Sequence, residues 1–511
     1  MKVLLVTGRL ASEQVRRSAC GADVLVLDVD VAAFITPEML CRAGPQGYDL
    51  ILIPGAITAD FRGAEMALGT RIRLGPKHAV DLISLLPRLD EVDPSPTVPA
   101  AAPSAPSAGI SRVFPRLDEC ELSTTVPACV LLEGKRRQEA IIQLERQEAQ
   151  ARGQLTIKGV KIGGSSRMKV LAEVVDATRL RDEDLVERIR YFEEPGAELI
   201  DLGAPLDATP ASVKRALKKA REVTALPISI DAVRPDLICA GIEAGADMIL
   251  SLNGENLPLV GSRVAEAGIP AVVIPGPGSV TLEENLNKAK DYAIQIIADP
   301  VLDPPLMGLA RSMIRYISLR EADPDIPLFF GVGNVTELLD GDSQGANLLL
   351  SVLAMEVGAS LLFTPEYSAE AKGSINELAV ASRMMVLAKG RQTPPKDLGL
   401  DLLILKEKRR IPEEVPPREL VEASADHKFE ADPAGSFRIF LSEGRIVAGN
   451  GRITVAGTSA RKVLNTLIDR GLIGRLDHAG YLGRELERAE IALRLGRSYI
   501  QDEPLWPIEK G

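Results

Sequence analysis

The chain has 511 residues, 46% hydrophobic and 26% charged, with a formal net charge of −11. That length allows three or four domains with ample apolar content for packed cores. The acidic balance argues against a nucleic-acid or anionic-membrane partner, since either would demand clustered Lys and Arg.

Five scattered cysteines (Cys20, Cys41, Cys120, Cys129, Cys239) form no CxxC, and His78, His427 and His478 are too dispersed for a histidine metal site, so no metal is expected. The N-terminal MKVLLVTGRLASEQV enters a strand and helix without an export signal, and no apolar run approaches the roughly 20 residues of a membrane span. A soluble, cytoplasmic protein is expected.

Residues 1–88 read as a small α/β domain, in which VLLVTG, DVLVLDV and DLILIPG are apolar runs separated by a glycine turn or a helix. VTG before a helix could form a phosphate turn, but a single glycine is a weak signal and a plain docking domain is the preferred reading. Residues 89–130 are a Pro/Ala/Ser-rich linker. It contains a duplication: PRLDEVDPSPTVPA from Pro87 and PRLDECELSTTVPA from Pro115 share ten of fourteen positions. A repeat that short buries no core, so it reads as slippage in a tolerant surface loop. A charged amphipathic helix over 131–150 then leads into the next domain.

Between Met168 and Thr364 eight apolar runs alternate with helical stretches: KVLAEVVDAT, AELIDLG, PISIDA, DMILSLN, PAVVIPG, QIIADP, PLFFGVGN and SLLFTPE. This is the count and spacing of a parallel (β/α)₈ TIM barrel, placed at 151–400. Six segments, DEDLVERIRYFEEPGA, RPDLICAGIEAGA, LPLVGSRVAEAG, TLEENLNKAKDYAIQ, MGLARSMIRYISLREA and GANLLLSVLAMEVGA, read as crossover helices. Pro-rich RQTPPKDLG and IPEEVPPREL bracket a short strand, LLILKEK. A small C-terminal α+β domain fills 415–511, with SFRIFLSEGRIVAGN as a hairpin, ITVAG as a strand and two helices. The fold class is therefore α/β, a TIM barrel flanked by two small domains.

In such a barrel the C-terminal strand ends carry the chemistry. Here they hold Asp176, Asp201, Asp231, Asn253, Asp299, Asn334 and Glu366. Phosphate would need Lys, Arg or an N–H nest. Acids and amides instead suit a heterocycle with an amidine or guanidine edge, where one carboxylate takes two N–H bonds and Asn serves mixed edges. A 2-amino-4-oxo pterin has that edge.

GAELIDLGA, LPISIDAVRPDLICAGIEAGADMI and IQIIADPVLD resemble the second, third and sixth strand segments of the pterin-binding barrels, the family of dihydropteroate synthase and the methyltetrahydropterin methyltransferases. The whole chain resembles the archaeal-type dihydropteroate synthase-related proteins, which carry extra terminal domains. By this resemblance Asp201, Asp231 and Asp299 fall on the pterin-contacting acids, with Ser251 and Asn253 near the strand-4 position, where Leu250 replaces the synthase Asn. The synthase loops for the leaving diphosphate are replaced by EVVDATRL, APLDATP, GVGNVTEL and TPEY, none with the expected cation; Arg167, Arg179 and Arg234 would substitute only if loops fold inward. The methyltransferase pattern fits better, with Glu173 and Asp176 at its strand-1 polar positions and Asn334 at its strand-7 Asn, beside pterin N5.

The resemblance implies a pterin-dependent transferase in folate or tetrahydromethanopterin one-carbon metabolism. Asn334 and Asp176 would be catalytic, and Glu173, Asp201, Asp231, Ser251, Asn253, Asp299 and Asn334 would bind the pterin. Tetrahydromethanopterin or tetrahydrofolate would be the substrate. Methyl transfer is preferred; condensation of a hydroxymethyldihydropterin diphosphate with an arylamine and a non-catalytic pterin carrier are the alternatives. A homodimer, and a corrinoid or other methyl-acceptor protein, are further partners to consider; His478 would be the corrinoid ligand, but a lone His before a helix is more often a cap or core residue, and that reading is preferred. Plain structural roles stand beside the others: Asp231 as a cap for the helix from Arg234, Asp201 as a loop brace, Asp299 as a turn residue, Glu173 as a partner of Arg167, Asn253 as a turn residue, and Glu366 and Asp340 as loop residues.

Overall fold

The computed structural model of the protein describes residues 1–57, 59–76, 78–89, 128–276, 280–406, 423 and 430–506. The duplicated linker lies outside them except at its two ends. The chain forms two units, 1–406 and 407–511.

The first strands are apolar on both faces, as strands covered on both sides must be. β1 (Val3–Thr7), β2 (Asp23–Val26), β3 (Leu50–Ile53) and β4 (Arg71–Leu74) form a parallel sheet in the order β2-β1-β3-β4. β4, RIRL, was not read as a strand because its two arginines break the apolar run. Arg391, at the end of the last barrel helix, ties this sheet domain to the barrel through Asp81 at 2.7 and 2.9 Å.

A helix over Ala128–Gln150 leads to a hairpin of β5 (Leu155–Ile157) and β6 (Val160–Ile162). The barrel follows: β7 (Lys169–Val174), β8 (Leu199–Gly203), β9 (Ile228–Asp231), β10 (Met248–Leu252), β11 (Ala271–Val273), β12 (Ile296–Ala298), β13 (Phe329–Gly331) and β14 (Leu361–Thr364). All pairings are parallel, and an Ala298–Leu328 bridge joins β12 to β13 and closes the ring. The expected TIM barrel is present. Two crossover helices absent from the sequence reading, Pro210–Val223 and Ser374–Arg391, complete it.

Outward side chains such as Val170, Ile200, Ile230 and Ile249 pack on the helices. Inward ones, Leu171, Leu199, Met248, Leu250, Val272, Ile297, Phe329 and Leu361, fill the lower barrel, where Ile157 and Ile162 of the β5–β6 hairpin pack against them. The N-terminal end of the barrel is thus plugged with hydrocarbon, and polar inward groups can stand only at the opposite mouth.

LLILKEK is not a strand: 402–406 are irregular, and the rest of the segment lies outside the described residues. In the second unit β15 (Arg438–Ser442), β16 (Arg445–Gly449) and β17 (Thr454–Gly457) form an antiparallel sheet, covered by helices Ala460–Asp469 and Leu476–Arg494. No helix among the described residues is long and apolar enough to cross a membrane.

Candidate functional site

Successive residues of a strand face opposite sides, so the residues two beyond inward-facing Leu171 and Leu199 also face inward. These are Glu173 and Asp201, register partners on β7 and β8. Asp201 pairs in turn with Ser229 of β9, and Gly203 with Asp231. One carboxylate oxygen each from Glu173, Asp201 and Asp231 lies within 4.8 Å of the others. Gly203 permits this, because a Cβ there would stand 2.9 Å from Glu173 Oε1.

Burial and mutual repulsion hold protons on this layer. Burial first, then the charges of Asp231, Asp176 and Glu337, push the Glu173 carboxyl up to about 8. Burial raises Asp231 to about 6. Asp201 is fully buried and raised by burial and by both neighbouring acids. Its Oδ1 accepts from Ser229 Oγ at 2.5 Å, while its Oδ2 has no hydrogen-bond partner.

Across the mouth, Asp299 follows β12. Its Oδ1 accepts from the Val301 N–H at 2.8 Å and from the Tyr316 hydroxyl at 3.1 Å, which leaves Oδ2 for a ligand. Burial lifts this carboxyl to about 6, against the pull of those donors and of Arg315. Arg315 fixes the loop beyond it by donating to the Pro300 and Val301 carbonyls and to Asp303.

The remaining predicted residues are spread around the rim. Asn253 is a turn residue: its Oδ1 accepts from the N–H groups of Glu255 (2.9 Å) and Asn256 (3.2 Å), so its amide nitrogen is the group left for a ligand. Ser251 sits beside it, its carbonyl held by the Asn256 amide at 2.9 Å. Asn334 is exposed and folds back over Gly331, donating to the Leu302 carbonyl at 2.8 Å. Asp176 adopts a left-handed backbone (φ 51°) and pairs with Arg179 at 2.9 Å; Arg179 also holds Asp207 at 2.7 Å. Glu366 is buried away from the mouth, accepting from the Tyr191 hydroxyl and the Ile375 N–H. Asp340 is an exposed loop residue.

Each arginine considered as a stand-in for the synthase cations is already engaged. Arg167 pairs with Glu198 at 2.6 and 2.8 Å at the opposite end of the barrel, and so is no partner of Glu173. Arg234 grips Asp236 and the carbonyls of Leu206 (2.9 Å) and Ala208 (3.0 Å). In the second unit His478 Nδ1 lies 2.7 Å from Asp432 Oδ2, and Asp432 also accepts the N–H groups of Ala434, Gly474 and Arg475. That network staples the start of the last helix.

Sequence reasoning missed Ser229, Gly203, Arg315 and Tyr316. Ser229 and Gly203 were legible in the period-two pattern, as the inward neighbours of Asp231 and Asp201. Arg315 and Tyr316 carried no signal, because they reach the site from a crossover helix.

A model described as a pterin binding enzyme matches residues 173–298, and one described as PterinBD-DUF4346 matches 431–502. An uncharacterized protein of Methanocaldococcus jannaschii is 35% identical over 550 residues, covering 99% of each chain. A Yersinia pestis dihydropteroate synthase with a pterine-sulfa conjugate is similar at 16% identity, over 44% of this chain and 95% of that one, with a TM-score of 0.36. A Xanthomonas albilineans dihydropteroate synthase is similar at 23% identity, over 42% and 91%, with a TM-score of 0.34.

Proposed function

We propose that the barrel mouth of this chain, which belongs to the family of its Methanocaldococcus jannaschii relative and matches a pterin binding enzyme model over residues 173–298, binds a reduced pterin, tetrahydromethanopterin or tetrahydrofolate, as donor in one-carbon transfer. The observation that carries this reading is the charge of the mouth. Its inner layer is carboxylate, and Arg179, Arg234 and Arg315 are committed to loop carboxylates and carbonyls. Such a mouth favours N–H donors over a departing diphosphate.

In this reading Asp299, with Oδ1 satisfied and Oδ2 free, accepts the amidine edge of the pterin, and Asp231 supports it from across the barrel. Asn253 and Ser251 meet the second ring, with Asp201 beneath, and Asn334 stands near N5 at the rim, where the methyl departs and a proton arrives. Rigid strand ends hold the donor in line for transfer. Asp176, tied to Arg179, stands at the side of the mouth, where its charge helps to hold the proton on Glu173.

Calorimetric titration of the whole chain with a methyl-tetrahydropterin and with hydroxymethyldihydropterin diphosphate tests the proposal. The reduced pterin should bind, and the diphosphate should add no affinity over hydroxymethylpterin. A gain of about a hundredfold from the diphosphate, worth two charge-assisted bonds, with turnover on an arylamine, would replace this reading with the synthase condensation. Tight pterin binding without turnover on methyl acceptors would favour the carrier.

A further inference from the structure

The second unit holds an open groove of about 620 Å³ at one end of its antiparallel sheet, a volume in the range of small-molecule sites. Arg438 and Phe440 of β15 line it together. They stand two residues apart on one strand and so share a face, while Ile439 and Leu441 turn to the core beneath the helices. Arg438 pairs in register with Gly449 of β16, which also lines the groove. The missing side chain there leaves a hollow beside the guanidinium.

Three polar groups in this groove keep capacity for a ligand. The Arg438 side chain is exposed and makes no ion pair or hydrogen bond among the described residues. Asn450 commits its Oδ1 to the N–H groups of Arg452 and Ile453, at 3.0 Å each, which leaves its amide nitrogen as a donor. Asp502 is held in a left-handed backbone (φ 69°), uncommon for a residue other than glycine. Its Oδ1 accepts from the Tyr481 hydroxyl at 2.8 Å and its N–H donates to Glu485 at 3.2 Å, so Oδ2 is the oxygen left over. The preceding Gln501 ties this segment to β15, accepting from the Ile439 N–H at 2.8 Å and donating to the Phe437 carbonyl at 3.2 Å. A cation and an anion thus line one groove, each fixed by its own strand or segment, without pairing with each other.

We propose that this groove binds a small zwitterion, a free α-amino acid with an apolar side chain. Its carboxylate takes paired N–H bonds from the Arg438 guanidinium, with the Asn450 amide beside it. Its ammonium donates to Asp502 Oδ2, and its side chain lies on the exposed Phe440 ring over the Gly449 hollow. Inorganic phosphate fits less well, because it would face the Asp502 carboxylate and leave the ring and most of the volume unused. This site lies outside the barrel and does not depend on the pterin reading.

L-phenylalanine is the probe, titrated into the full chain and followed by ligand-observed NMR. One molecule per chain should bind with a dissociation constant on the order of 10⁻³ M or tighter. Arg438→Gln and Asp502→Asn should each weaken it about tenfold. The two charges are separated by 3-phenylpropanoate, which lacks the ammonium: Arg438→Gln should weaken it, and Asp502→Asn should not. Gly449→Val fills the hollow without changing charge and should weaken both ligands. Its backbone is not left-handed, and a Cβ there meets Thr454 Oγ1 at 3.4 Å, an ordinary contact, so this variant should fold. Arg445→Gln, an exposed arginine paired with Glu443, should change nothing. Lack of saturable binding, affinity that survives Arg438→Gln, or displacement of L-phenylalanine by inorganic phosphate would overturn the proposal. Because no pterin is present, that failure is separate from failure of the pterin reading, which the calorimetry reports.

Discussion

The phenol oxygen of Tyr316 lies 3.1 Å from Asp299 Oδ1 and 2.9 Å from the Phe329 carbonyl, and its single proton can serve only one of them. With Asp299 ionised, the proton is drawn to the carboxylate. With Asp299 protonated, the carboxyl can donate to the phenol, which then donates to Phe329. Tyr316 therefore supports either state of Asp299. Tyr316→Phe keeps the ring packed on Phe330 but removes the donor from the ionised form. Pterin affinity near pH 7 should fall about three- to tenfold, and native stability by about 1–2 kcal/mol. Unchanged affinity in calorimetry would remove Asp299 from the binding site.

Asp299 also sets the expected pH dependence. Its native carboxyl sits at about 6, against about 3.9 in an unfolded chain. The native state therefore holds a proton that the unfolded chain has lost, so this group's contribution to stability declines as pH rises from about 4 through 6. The decline is at most about 2–3 kcal/mol, and less to the extent that Oδ2 is open to solvent. Pterin binding runs the other way, because the N–H donors need the ionised form. Affinity should be flat above about pH 7 and fall about tenfold per pH unit well below 6. Asp299→Asn should reduce both dependences to what Asp231 and Glu173 contribute and cost about 2–4 kcal/mol in binding, by setting a donor against a donor. Thermal melts and titrations across pH 5–8 check both signs; a pterin affinity in Asp299→Asn equal to wild type sinks the site.

Asn334 tests chemistry separately from recognition. Its amide nitrogen is occupied by the Leu302 carbonyl at 2.8 Å, so its Oδ1 is the atom free to meet a proton-bearing N5. Asn334→Ala should depress turnover much more than it weakens binding, the mark of an interaction made chiefly in the transition state. Asn334→Asp keeps an acceptor but loses the tether to Leu302, and should retain more activity than Asn334→Ala if the acceptor is what matters. Equal and small losses in kcat and affinity for Asn334→Ala would leave it a loop tether.

The barrel was legible because parallel strands buried on both faces must read as apolar runs, and helices between them as amphipathic stretches. The inward acids were legible for the related reason that Asp201 and Asp231 sit at C-terminal strand ends. Register was harder to read. Arg167 is six residues from Glu173 in sequence yet pairs with Glu198 at the far end of the barrel, since an extended strand carries the two about 20 Å apart. The β5–β6 hairpin escaped notice because its strands are three residues each, too short to show a period. Glu366 was placed on the ring by its position after β14, but Tyr191 on a crossover helix draws it outward. That contact is set by tertiary packing alone.

Gly203 offers a test of the acid layer that changes no charge. Its backbone does not require glycine, for it is absent from the positive-φ positions, and alanine fits a strand there. The added Cβ would stand 2.9 Å from Glu173 Oε1 and 3.4 Å from the Asp176 nitrogen, and the flexible end of the glutamate is what must yield. Gly203→Ala should therefore fold with stability within about 1 kcal/mol of wild type while swinging Glu173 away from Asp201 and Asp231. The Glu173 carboxyl should then titrate closer to the ordinary carboxylate range, while pterin contacts at Asp299 remain. A Glu173 titration, followed by carboxyl NMR, that is unchanged in a well-folded Gly203→Ala protein would mean that Glu173 does not share the proton-holding layer with Asp201 and Asp231.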